Sequence, residues 1–406
     1  MMEKKDLLSS VKLASDWLCD IAQIKTENLP VDTMDRYNHR HTTWKGAIRG
    51  EYSAAVKQWD MFCPVWHTGQ AIKSLLMVTP LVKDEKCMTA ARLGAEFILA
   101  HQVCDTASPD YGLILAYEDF GDKVTTSAIF EAMHGLILLA EAEKSEEMWQ
   151  RIVAAGHFLI DRLYMPGQGL FRDLYDPVTH TIPPNPYRTK DNIGGRPLLD
   201  DGILLRLYQK TGNRKFLEVH IQVSERLLAD QNPPGNWIDY GPCNAKIGSV
   251  HPRHLYWWGL PLIDTYRETG RQEFLETAVA SGEFLKMAMR KDGGFFRGTY
   301  LDGKTDSFNH ATSGSACAAI VFLELYKETK DFHWREQAEK AIEFCMKMQF
   351  TNPQDSNLKG AILEKILIPD GTDRSLYHIR DLGTIFFIQA AVQYLDLVNK
   401  SEASSA

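Results

Sequence analysis

The 406-residue sequence is notable first for what it lacks. Its seven cysteines are scattered without a CxxC pair, which excludes a disulfide scaffold or zinc ribbon and predicts buried free thiols in a reducing compartment. Basic residues are in deficit: 45 Lys and Arg stand against 53 Asp and Glu, a formal charge of −8. No basic footprint therefore invites nucleic acid or an anionic membrane. Apolar runs are too short and too interrupted to predict a bilayer span. The opening MMEKKDLLSSVKLASDW is charged and amphipathic, without the apolar centre of a secretory leader, so a cytoplasmic protein is expected. No HExxH, no paired Cys/His ligands and no phosphate-cradling loop occur, so no metal or cofactor is expected. GGFFRG (293–298) lacks the Lys-Ser/Thr of a P-loop, and Ser313 and Ser315 follow no strand, which excludes a nucleophile elbow. Strand-like runs are few.

What is present is a repeat. Segments 68–81, 126–142, 200–212, 254–270, 312–330 and 380–398 are rich in Gly, Ala and Ser and apolar on most sides, as helices buried all round must be. Between them run amphipathic helices centred on Trp17, Phe97, Phe158, Leu227, Phe284 and Phe344, the last five separated by 61, 69, 57 and 60 residues. A period near sixty, two helices each time, predicts six hairpins: an all-α (α/α)6 toroid in one catalytic domain over 1–400, with 401–406 as a disordered tail. Turns leaving the inner helices are short. Connectors entering them are long, about 36–66, 103–125, 165–199, 231–253, 290–311 and 351–379. Long connectors tend to carry function, and all six are expected at one mouth.

The candidate site residues lie in or beside those connectors. Asp200–Asp201 opens the third inner helix, where a carboxylate would face the cavity and move a proton, although Asp is also a favoured helix cap. Glu118–Asp119, before the second inner helix, is the neighbouring acidic pair, and either could raise a facing carboxyl toward neutrality. Six of the nine tryptophans, Trp44, Trp59, Trp66, Trp237, Trp257 and Trp258, cluster at the mouth, where aromatic faces suit sugar rings. Arg188, Arg196, Arg253 and Arg380, with His67, His251, His254, His310 and His378, give a basic lining inside an acidic protein, which suits an anionic ligand such as a uronate. The expected partner is a small anionic oligosaccharide; the sequence leaves the oligomeric state open.

The double-helical repeat resembles the six-hairpin glycosidase superfamily. RPLLDDGILLRLYQKTGNRKFL resembles the segment carrying the catalytic Asp in unsaturated glucuronyl and rhamnogalacturonyl hydrolases, and HATSGSACAAIVFLELYKETKD resembles one of their inner helices. The resemblance implies Asp200 or Asp201 as acid/base, Asp119 as its partner, and hydration of the C4=C5 vinyl ether of an unsaturated uronyl glycoside. DDGILL departs from that family's pattern, as does the loop around Asp119. FEAMHGL (130–136) is similar, in altered order, to a motif of the N-acylglucosamine 2-epimerase family, which implies a rival proton abstraction by His134 or His254. A saturated β-glucuronide hydrolase using two carboxylates and a non-catalytic carbohydrate-binding toroid stay open as alternatives.

Overall fold

The computed structural model describes residues 2–184, 190–241, 243–244, 249–305, 311–366 and 377–405. Among them twelve α-helices alternate between an outer and an inner ring. The outer helices are α1 (Lys4–Trp17), α3 (Glu85–Ala100), α5 (Glu146–Phe158), α7 (Arg214–Ala229), α9 (Gln272–Ala288) and α11 (Phe332–Lys347). The inner helices are α2 (Pro64–Val82), α4 (Thr126–Glu143), α6 (Ile203–Thr211), α8 (Leu260–Thr269), α10 (Thr312–Thr329) and α12 (Asp381–Ser405). A 3₁₀ turn, Asp200–Gly202, precedes α6, and a π-helical turn, Leu255–Gly259, precedes α8. Each inner element packs against the next, and α12 returns to α2, so the ring closes as an (α/α)6 toroid.

One junction recurs five times. Lys83, Lys144, Gly212, Gly270 and Lys330 end their inner helices in the left-handed conformation, where the chain turns without a long loop. The next residue begins the outer helix, and at Asp84, Ser145, Asn213 and Asp331 its side chain accepts a backbone N–H of the first turn. These are the short turns of the sequence repeat. Burial on every side is clearest in α10, where every residue from Thr312 to Leu323 is buried, whereas α6 and α8 expose Gln209, Lys210 and Glu268 near their C-terminal ends.

The inner ring is tightest between α2 and α4. A Cβ at Gly69 would sit 2.3 Å from Ala132 Cα, and one at Gly135 would sit 2.2 Å from the Gly69 carbonyl oxygen. Backbone meets backbone there, so Gly69→Ala must push the two helices apart. A loss of about 2 kcal/mol or more is expected in urea unfolding, and an unchanged midpoint would show that the ring yields freely at this point.

Two expectations are revised. By length and composition Asp381–Lys400 in α12 is apolar enough to cross a membrane, contrary to the reading that no such run exists; its window is 78% buried against neighbouring elements, as in a core helix. Residues 401–405, expected as a disordered tail, fall within the bounds of α12.

The long connectors are not bare loops. Strands Thr33–Met34, Gln58–Met61, Gly50–Ser53, Tyr377–Arg380 and Lys365–Ile366 form, in that order, a five-stranded sheet joining the first and last connectors. Tyr164–Met165, Leu170–Arg172 and Gly195–Arg196 form a second, which carries Arg196.

Candidate active site

A cavity of about 220 Å³ opens among the connectors. Five of the six connectors supply its lining: Cys63, Glu118, Arg196, His251 and Arg297 each come from a different one, and Arg380 follows directly on the sixth. Trp66, Ser127, Glu131 and Trp257 line it from the N-terminal turns of the inner ring. The mouth expected from connector length is therefore a formed site.

A second cavity, about 340 Å³, lies further along the inner helices. Lys73, His134, Tyr256, Asp264 and Gln393 are among its lining residues. Lys73 is seven residues beyond Trp66, about 10 Å along α2, so this cavity sits at the rear of the ring.

The Asp200–Asp201 pair is divided between the two. Asp201 has φ 53° and Gly202 φ 64°, two consecutive left-handed residues that turn the neighbouring side chains apart. Asp200 lines the mouth cavity and Asp201 the rear one. Asp201 is fully engaged: its Oδ1 accepts from Lys73 Nζ (2.7 Å) and Tyr256 OH (3.0 Å), and its Oδ2 from Gln70 Nε2 (2.9 Å), with His134 Nδ1 at 3.3 Å. Burial opposes its ionisation, but the Lys73 ammonium outweighs that and holds the carboxyl well below its ordinary range. It is a permanent anion, unsuited to give up a proton.

Asp200 is the opposite case. It is 3% exposed, and its Oδ2 has no hydrogen-bond partner among the described residues. Burial, helped by the neighbouring Asp201 charge and opposed by Arg196, pushes its pKa up to about 7. Burial likewise pushes Glu118 up to about 8, with Asp119, Asp173 and Asp200 adding to the effect. Glu131, held by Gln70 Nε2 at 2.6 Å, is raised well above its ordinary value by burial and by both aspartates. Three carboxyls share one desolvated pocket and cannot all ionise, so a proton is available at neutral pH. Asp119 is exposed at the rim of the cavity, and Glu131 lines it from α4.

The cations differ in how they are used. Arg196 is paired with Asp173, and its Nη2 lies 3.4 Å from Ser127 Oγ. Arg380 is held by Glu51 and lies over the Phe62 ring at 4.3 Å. Arg253 is 7% exposed and rests over Trp257 at 5.5 Å, yet its Nε and Nη1 have no hydrogen-bond partner among the described residues. Burial opposes its charge and the Glu364 carboxylate favours it, and two buried N–H groups without partners are costly unless a ligand completes them.

The histidines separate as well. His251 lines the mouth, and its Nδ1 accepts from the Arg253 backbone N–H (3.2 Å), which assigns the ring proton to Nε2. Burial and then the Arg253 charge push its pKa well down, so it is a neutral donor. His254 is wholly buried, 4.6 Å centroid to centroid from Trp258, and His134 opens on the rear cavity; burial takes them down to about 3 and about 4. His67 is buried with Asp381 at 2.6 Å, tying α2 to α12. These three do not reach the mouth.

Of the tryptophans, Trp66, Trp257 and Trp258 line the cavity. Trp237 and Trp59 are wholly buried and Trp44 nearly so; Trp237 donates to the Leu227 carbonyl at 2.8 Å and packs beneath Trp258. Arg188 and His310 lie outside the described residues, as does the side chain of His378. Glu131 and Arg297 were missed in the sequence. A charged residue inside an otherwise apolar inner helix was the available signal for Glu131. Among the described residues no three His, Cys, Asp or Glu side chains group as a metal site.

No protein-family model and no curated protein sequence matches the chain. Solved structures match it nearly end to end. A D-mannose isomerase superposes with TM-score 0.69 at 14% identity, covering 97% of this chain and 98% of its own. An unsaturated glucuronyl hydrolase specific for heparin gives 0.67 at 13%, covering 98% and 99%. Cellobiose 2-epimerase from Spirochaeta thermophila gives 0.64 at 12%, covering 97% and 98%. The chain has the six-hairpin toroid fold. These neighbours are carbohydrate-processing enzymes of more than one reaction type, so the choice among reactions rests on the site.

Proposed function

We propose that the chain hydrolyses an unsaturated uronyl glycoside by hydrating its C4=C5 vinyl ether, with Asp200 as acid/base. The observation that carries this reading is Asp200 itself: a buried carboxyl in the mouth, near neutrality, with an unengaged oxygen beside two further raised carboxyls. In the proposed step Asp200 donates its proton to C4, and the C4=C5 π electrons form the new C–H bond. Water attacks C5, and the Asp200 carboxylate takes the proton that water releases, so the acid is regenerated. The resulting C5 hemiketal opens by breaking its bond to the ring oxygen, which leaves a C5 ketone and a hydroxyl on C1. This C1 hemiacetal then collapses to an aldehyde as its C1–O bond to the second sugar breaks, and the departing oxygen takes the hemiacetal proton and leaves as a hydroxyl. The C5 carboxylate group of the sugar pairs with Arg253, and the protonated Glu118 and His251 Nε2–H donate to hydroxyls. Trp66 and Trp257 supply the apolar walls.

The histidine-based epimerisation that the FEAMHGL resemblance implies lacks its base here, since His134 and His254 lie outside the mouth and His251 has its Nδ1 occupied. That favours the carboxyl chemistry over the epimerase reading.

The test is a panel. An unsaturated uronyl disaccharide should lose its double-bond absorbance on incubation with the chain, while an aryl β-glucuronide releases no phenol and mannose and cellobiose yield no isomer. Phenol release or an isomer with unchanged absorbance would retire this reading in favour of the corresponding rival. Because Asp200 must carry its proton, kcat/KM should fall about tenfold per pH unit above about pH 7, the value to which its pKa is raised. A profile flat to pH 9 would remove Asp200 from the role.

A further inference from the structure

Asp201, whose carboxylate oxygens accept from Lys73, Tyr256 and Gln70, is adjacent in sequence to Asp200, whose Oδ2 has no hydrogen-bond partner among the described residues. Asp201 is 4% exposed at its side chain and Lys73 is 8% exposed. Every inner element around them contributes to the lock. Gln70 and Lys73 come from α2, His134 from α4, and Tyr256 from the π-helical turn before α8; Tyr256 OH accepts from Lys73 Nζ at 3.0 Å while donating to Asp201. Gln70 has its own anchor in α12, where Gln389 Nε2 donates to Gln70 Oε1 at 3.0 Å. The Gln70 amide nitrogen reaches both Asp201 Oδ2 and Glu131 Oε2, so one carboxamide joins the anion behind the wall to a carboxyl in front of it.

The backbone between the aspartates is held out of its relaxed form. A left-handed φ is uncommon for a residue with a side chain, although Asp tolerates it better than most; Asp201 adopts it at 53°, which a helix cap does not require. Three inner elements hold the Asp201 side chain, with α12 bracing one of them through Gln70, and the same kink is what sends Asp200 the other way.

We propose that Asp201 is a positioning residue: locked by Lys73, Tyr256 and Gln70 at the back of the site, it aims the Asp200 carboxyl into the mouth and sets a fixed negative charge behind it. The proposal rests on the reading of Asp200 as acid/base, and it assigns Asp201 no contact with the substrate. The ionisable groups around Asp200 are Glu118, Asp119, Glu131, Arg196, His251, Arg253, Arg297 and Arg380 on the mouth side, with Asp201, Lys73 and His134 behind. The arginines favour the ionised form of Asp200. Asp201 is the nearest group behind it that opposes ionisation, and burial acts in the same direction.

The test is a carboxyl ¹³C NMR pH titration of the full chain without substrate, the Asp200 signal being identified by its loss in Asp200→Asn. The wild-type midpoint is expected near the value of about 7. Asp201→Asn should lower that midpoint by about one pH unit, whereas Asp201→Glu, which keeps the charge, should leave it near the wild-type position. Turnover of Asp201→Asn at pH 7 should then fall about fivefold and recover at about pH 6, a shift of the profile that lost stability alone does not produce. If Asp201→Asn does not fold, the double variant Lys73→Met/Asp201→Asn removes both charges without stranding a buried cation, and its midpoint should fall relative to Lys73→Met alone, which fixes the effect of losing the ammonium. An Asp200 midpoint unmoved or raised in the folded charge-removing variant overturns the proposal, even if activity drops. Because the titration needs no substrate, its outcome is independent of the uronide assay: absence of wild-type turnover would retire the reaction and leave the midpoint shift to stand or fall by itself.

Discussion

Replacing Asp200 by Asn is expected to lower turnover by about 10²–10⁴-fold, the usual worth of a positioned proton donor, and at the same time to make the protein more stable at alkaline pH. The two effects have one cause. In the folded chain the Asp200 pKa is raised from 3.8 to about 7 by burial first and the Asp201 charge second. A carboxyl raised in this way contributes its stability in full below the unfolded value of about 4, and loses it as pH rises through the folded value of about 7. Asn carries no charge to desolvate, so that loss disappears. At pH 8 the variant should melt about 3 °C above wild type, which corresponds to about 2 kcal/mol for a chain of this size once the sharing of strain with Glu118 and Glu131 is allowed for. At pH 4 the two should melt alike. An Asp that merely caps the helix would behave otherwise, since Asn is an equally good cap: turnover would stay near normal and the melting difference would not depend on pH.

Arg253→Met should produce the next largest effect, and on binding more than on chemistry. Its Nε and Nη1 have no hydrogen-bond partner among the described residues, and in the proposed function they take the uronide carboxylate. Losing a charge-assisted contact in a buried site costs about 2–3 kcal/mol, so KM for an unsaturated uronide should rise about 30–150-fold with kcat within a few-fold of wild type. Affinity for a neutral sugar of the same size should not change. Melting temperature should rise, because burial opposes the charge that Met lacks and Glu364 only partly compensates it. A large fall in kcat with KM unchanged would place Arg253 at the transition state instead of at the carboxylate, and equal losses for neutral and anionic sugars would mean it serves only packing against Trp257.

The six hairpins were legible because burial on all sides leaves a compositional mark, and because the junctions at Lys83, Lys144, Gly212, Gly270 and Lys330 repeat it at a nearly fixed interval. The mouth was legible from connector length. The division of labour within it was not. Asp200 and Asp201 are chemically identical neighbours, and what separates them is a left-handed φ imposed by Lys73, Tyr256 and Gln70 from other hairpins. Glu131 stands in FEAMHGL beside His134, the residue that the epimerase resemblance singles out; helical spacing places the two one turn apart, so Glu131 reaches the mouth and His134 the rear. Trp237 is in a connector as predicted but turns into the core, because a connector must also seat itself on the ring. Long loops announce a site without saying which of their side chains face it.

The central claim is that Asp200 hands a solvent-derived proton to C4 of an unsaturated uronide at this mouth. The direct measurement is the reaction run in D₂O on an unsaturated uronyl disaccharide, with the product read by NMR. One deuterium is expected at C4 of the opened uronyl product with wild-type protein, and almost no product with Asp200→Asn. Deuterium at C2 of a ring-closed epimer, or uronide consumption undiminished in Asp200→Asn, would contradict it.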